Sequence, residues 1–102
     1  MSMKIRTRQQ DDYTLVRILI DHPMETGRRR DEASGALVPA HFICEVRIEH
    51  NGRLVASGEF TTAVSRDPYL SLRFRGGRPG DRIRVSWVDN LGLSGSADAR
   101  IE

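Results

Sequence analysis

Cys44 is the one thiol in this 102-residue chain and its most obvious candidate nucleophile. It would serve as a sulfur acceptor or catalytic group only as a thiolate. That form needs solvent access and neighbouring cations. Alternation along the segment sets Cys44 beside Phe42, Val46 and Ile48, opposite Glu45, Arg47 and Glu49. This parity predicts an inward, inert thiol, as most structural cysteines are. Three histidines offer metal-binding or proton-transfer chemistry: His22, His41 and His50. Their separations of 19 and 9 residues match no compact ligand spacing. No metal site is therefore expected. His22 and His41 flank a long loop and would meet only if that loop closed on itself. His50 lies beside a turn and is expected to be solvated.

The remaining chemical signals are weak. Gly76-Gly77-Arg78-Pro79-Gly80 is glycine-rich, but it lacks the Lys-Ser/Thr pair of a phosphate loop and precedes a strand pattern. It reads as a turn. Arg28-Arg29-Arg30 resembles an anion patch until Asp31 and Glu32 follow at once, which fits a solvated loop. No serine nucleophile elbow is present. The residues themselves indicate a binding or structural module without an active site or cofactor.

The elements that must position these residues read as strands. Short alternating runs between turn signals recur along the chain. They cover Met3 to Arg8, Tyr13 to Asp21, the Phe42–Glu49 run, Leu54 to Thr61, Tyr69 to Arg75, the Ile83-Val85-Trp87 run and Leu93 to Ile101. The second is apolar on both faces and is expected to be central. In the fourth, Leu54, Ala56, Gly58 and Phe60 share one face. The seventh is polar, as suits an edge. Asn51-Gly52 between the third and fourth is a strong type I′ hairpin signal. Asp21 to Ala40, with Pro23, Gly27, Gly35 and Pro39, supports no regular element and is long enough to suggest function. Seven short strands in one domain spanning 1–102 predict an all-β, immunoglobulin-like β-sandwich.

Composition excludes several classes. Hydrophobic residues make up 38% and charged residues 29%, which fits a folded globular domain. No apolar run approaches the ~20 residues of a membrane span, and no signal-peptide core is visible near the start. A single cysteine forbids an internal disulfide. Net charge is only +2, with Asp and Glu interleaved among fifteen arginines and one lysine. One-sided excess charge, the footprint of nucleic-acid binding, is not apparent in the linear sequence. No nucleic-acid partner is expected.

Five blocks carry a resemblance. They are His22-Pro23-Met24-Glu25-Thr26-Gly27, Pro39-Ala40-His41-Phe42-Ile43, Asp67-Pro68-Tyr69-Leu70, Phe74-x-Gly76-Gly77-x-x-Gly80-Asp81 and Trp87-x-Asp89-Asn90-x-Gly92. In this order and separation they resemble the SoxZ family, the smaller subunits of the SoxYZ sulfur carrier of bacterial thiosulfate oxidation. The resemblance implies an immunoglobulin-like sandwich that binds SoxY as a heterodimer. SoxY carries the sulfur intermediate on the cysteine of a flexible C-terminal Gly-Gly-Cys-Gly-Gly arm and presents it to the Sox enzymes. This chain has no such arm, so the resemblance implies a non-catalytic scaffold in transient contact with those enzymes. Gln is more usual in the family where Cys44 stands, which argues against a carrier role and leaves its exposure open. The family also implies periplasmic location, by export bound to SoxY. The expected partner contacts are His22, Pro23, Met24, Glu25, Pro39, His41 and Phe42. An isolated subunit is expected to expose an apolar patch through which it can form a homodimer.

Overall fold

The computed structural model describes residues 2–102, and among them the regular elements are seven strands with no helix. They are β1 (Met3–Gln10), β2 (Tyr13–Ile20), β3 (Ile43–His50), β4 (Arg53–Glu59), β5 (Tyr69–Arg75), β6 (Arg82–Asp89) and β7 (Ser94–Arg100). Two antiparallel sheets, ordered β1-β2-β5 and β4-β3-β6-β7, form an immunoglobulin-like sandwich. β2 is central in its sheet, as its two apolar faces require, and polar β7 is an edge. The alternating residues Val16, Ile18 and Ile20 of β2 are buried together with Ile43, Val46, Ile48, Ile83, Val85 and Trp87 of the other sheet. Each such side chain contributes on the order of 1.5–3 kcal/mol by leaving water. The C-terminal residues lace the layers together. Ile101 is buried, Gln9 N–H donates to the Glu102 carbonyl (3.1 Å), and Thr7 Oγ1 donates to the Arg100 carbonyl (2.9 Å).

Strict alternation fails at two bulges, and each corrects a sequence expectation. In β3, Ile43 pairs with Asp89 but Glu45 pairs with Val88, so Cys44 is an extra residue. The bulge sends both Ile43 and Val46 inward and leaves Cys44 half-buried rather than in the core. In the β3–β4 pair, Ile48 faces Ala56 and Glu49 faces Leu54, which leaves Val55 unmatched. Leu54 is thereby turned out to solvent, off the face it was expected to share with Ala56. The Asn51-Gly52 turn behaves as its composition requires, with φ of 48° and 84°.

Gly77 combines two constraints. Its φ is +89°, and a Cβ there would overlap the hydroxyl of buried Thr14 and press on Ile101 Cδ1 at 3.0 Å. The Thr14 hydroxyl is already committed to the Gly76 carbonyl at 2.7 Å. Gly52, also at positive φ, has open space around it. Gly77→Ala is therefore expected to cost roughly 2 kcal/mol or more, against about 1 kcal/mol for Gly52→Ala. Urea unfolding of the two variants checks the difference; equal losses would contradict it.

Candidate functional site

Three connections converge at one end of the sandwich: the long segments 21–42 and 60–68 and the short β6–β7 turn. The first is an irregular hairpin, which sequence had shown only as a structureless loop. Glu25 and His41 exchange both backbone hydrogen bonds (2.7 and 3.0 Å), and Val38 N–H donates to the Arg29 carbonyl (2.7 Å). The tip is capped by Asp31, whose Oδ1 accepts from Ala33 and Ser34 N–H. Those two donors hold the Asp31 carboxyl below its ordinary range.

Closing this hairpin brings His22 and His41 together, with ring centroids 4.6 Å apart. Both meet Asp89 at the end of β6. His41 Nε2 lies 2.7 Å and His22 Nε2 3.2 Å from Asp89 Oδ2. Asp89 Oδ1 accepts from Leu91 N–H (3.0 Å) and Leu93 N–H (2.9 Å). The His22 and Asp89 side chains have no solvent exposure, and His41 has 18%. Burial alone would raise the Asp89 pKa. Hydrogen bonds from His22 and His41 and from the two backbone donors outweigh it, so the net shift is downward. The His22 ring also stands edge-on to Trp87, at 5.2 Å between centroids. Trp87 in turn needs Gly95 opposite it, since a Cβ there would come within 2.7 Å of the indole.

The two histidines and Asp89 offer three ligand atoms within 4.8 Å of one another. The hydrogen bonding does not suit a metal. Met24 N–H donates to His22 Nδ1 at 3.1 Å. That occupies the Nδ1 lone pair and assigns the ring proton to Nε2, which donates to Asp89. Metal ligation through Nε2 would require a proton on Nδ1, facing another N–H. The cluster is a hydrogen-bond node that ties the hairpin, the β6–β7 turn and the core into one body.

The expected contact residues separate into two groups. His22 and Met24 are buried, so they shape the loop from inside and do not form its surface. Met24 holds an unusual φ of 49°, and its Sδ accepts from buried Ile43 N–H at 3.3 Å. Pro23, Glu25, His41 and Phe42 are half-buried, and Pro39 is exposed. The Glu25 carboxylate is engaged by Arg29 at 2.7 Å; that hydrogen bond is the main cause of its lowered pKa. Sequence reasoning did not single out Asp89 as the hub or Leu91 and Leu93 as surface. Leu91 is 58% and Leu93 49% exposed. Asn90 stitches this turn to the hairpin: its Oδ1 accepts from Phe42 N–H (2.8 Å) and its Nδ2 donates to the Ala40 carbonyl (2.9 Å). Leu91, Leu93, Phe42 and Pro39 thus flank one stitched junction. His50 lies at the opposite end, where it meets Asp81 at 2.8 Å, and this hydrogen bond leads in lowering the Asp81 pKa.

Fold and site together define an immunoglobulin-like sandwich whose loop end is shaped by a buried node and carries exposed leucines. The chain belongs to the SoxZ family: the family profile described as "Sulphur oxidation protein SoxZ" matches residues 3–100. This gives the chain a role in sulfur oxidation. No curated protein matches it.

Proposed function

We propose that this chain is the non-catalytic scaffold of a SoxYZ sulfur carrier and holds SoxY at its loop end. The observation that carries the reading is the exposed Leu91–Leu93 turn, fixed to the hairpin by Asn90 and to the core by Asp89. A tethered thiol works through effective concentration, so the base of its tether must be rigid. The loop end meets that requirement with apolar side chains already outside the core. SoxY carries the sulfur, the complex is exported to the periplasm as a unit, and the Sox enzymes visit it transiently. Without SoxY, two copies of this chain pair through the same apolar end.

The rival reading makes Cys44 the sulfur acceptor. Its Sγ contacts the Phe42 carbonyl at 3.9 Å. Its half-buried place in the bulge limits the solvent access that sulfur transfer requires. Co-expression with the SoxY-like protein of the same genome, followed by intact mass spectrometry after exposure to thiosulfate and the Sox enzymes, separates the two. The expected result is a one-to-one complex with every sulfur adduct on the partner, unchanged by Cys44→Ser. An adduct on Cys44, or no complex, would overturn the scaffold reading.

A further inference from the structure

We propose that the outer face of the β1-β2-β5 sheet is a second docking surface, specific for an acidic protein. Strand alternation and register decide which side chains share this face. Lys4, Leu19 and Tyr69 form one row; Arg6, Arg17 and Ser71 the next; then Arg8, Leu15 and Arg73; then Gln10, Tyr13 and Arg75. Six of these twelve positions are cationic and none is acidic. Among the described residues none of the six forms an ion pair, whereas on the other sheet Arg82 and Arg84 pair with Asp98 and Arg47 with Glu45. The near-neutral net charge conceals this separation. The interleaving of acids and bases along the chain does not carry over to this face.

The arrangement is costly in a free surface. Arg6 and Arg17 are direct cross-strand partners, and like charges so placed destabilise a sheet. A partner bearing carboxylates removes that repulsion. Five of the six cations are arginine, whose planar fork donates to a carboxylate bidentately.

Protein is favoured over nucleic acid by what lies between the cations. Leu15 and Leu19 contribute apolar contact that a phosphate backbone would not use. The Tyr13 ring, a possible base-stacking platform, already carries the Arg73 and Arg75 guanidiniums at 4.9 and 5.4 Å. Arginine, tyrosine and leucine on a flat face fit a protein interface with charged steering. Four rows of three strands cover only about 24 by 15 Å. That area suits a weak, salt-sensitive, transient encounter rather than a permanent complex. The surface therefore goes beyond the scaffold reading, which places SoxY at the loop end and leaves this sheet for a second protein. It rests on that reading only for the choice of proteins to test.

The experiment titrates the free chain, and separately its complex with the SoxY-like protein, with each purified soluble Sox enzyme of the same genome. Arg17→Glu/Arg73→Glu reverses the face, and Arg53→Glu/Arg78→Glu makes the same net charge change elsewhere. At least one acidic enzyme is expected to bind. Its affinity should fall tenfold or more in the face variant and within twofold in the control, and it should weaken steeply between 50 and 200 mM salt. Unchanged thermal unfolding shows that the variant is folded, and SoxY binding by the same variant is read independently. The proposal is overturned if no acidic enzyme binds, or if both variants behave alike. Tighter binding of the face to a thymidine oligonucleotide or to phosphatidylglycerol vesicles would overturn it equally.

Discussion

Asp89→Ala is expected to lower stability by about 3 kcal/mol, because it strands several buried donors at once. The carboxylate accepts from His22, His41, Leu91 N–H and Leu93 N–H. In a domain of this size the loss corresponds to a fall in Tm of roughly 12–20 °C. Asp89→Asn should recover part of it. Its amide oxygen can still serve the two backbone donors, but its NH2 meets the Nε2–H of His22. The His22 ring cannot exchange tautomers without breaking its bond to Met24 N–H. A loss below about 1 kcal/mol for the alanine variant would show that the node is not structural.

The same variant carries a pH signature. The folded-state pKa of Asp89 lies below the ordinary 3.8. A depressed carboxylate stabilises the fold above its unfolded pKa and loses that contribution as pH falls through the folded value. Native protein should therefore lose stability below about pH 4 more steeply than Asp89→Ala does. Glu25, Asp31, Asp81 and Asp98, also lowered, keep some acid sensitivity in the variant. Thermal unfolding at pH 6 and pH 3 compares the two slopes, and parallel slopes would exclude Asp89 as a contributor.

The second large effect is expected on partner affinity rather than on stability. Leu91→Asp should weaken binding of the SoxY-like protein by about thirtyfold, as loss of an apolar anchor costs ~2 kcal/mol. The residue is 58% exposed, so the unfolding midpoint should move little. Phe42→Ala should weaken binding too, but with some loss of stability, because its ring packs against the core. Asp89→Ala should reduce affinity through the turn it positions. Calorimetric titration with parallel unfolding curves distinguishes these patterns. Full affinity in Leu91→Asp would remove the β6–β7 turn from the interface.

Much of the architecture was legible from local rules. Val16, Ile18 and Ile20 recur at period two, the pattern of a half-sandwich, and Asn51-Gly52 supplies the left-handed backbone of its hairpin. Single-residue bulges were not legible. Cys44 and Val55 have ordinary strand neighbours, and an extra residue shows itself only against the partner strand. The parity of Cys44 and Leu54 was misread for that reason.

The site was visible only in fragments. His22 and His41 stood out by type, but the hairpin that brings them together depends on backbone bonds such as Glu25–His41, to which side-chain identity gives no guide. The role of Asp89 was not legible, because its four donors come from three separate segments. By itself the sequence determined seven strands, a central β2, a polar edge and the family resemblance, since all of these follow from periodicity, turn chemistry and short motifs. Only the tertiary structure decided that His22 and Met24 are internal, that Leu91 and Leu93 are presented beside the hairpin, and that six cations share one sheet face. Charge balance along a chain is one-dimensional, whereas pleating and strand pairing sort alternate residues of distant segments onto opposite surfaces.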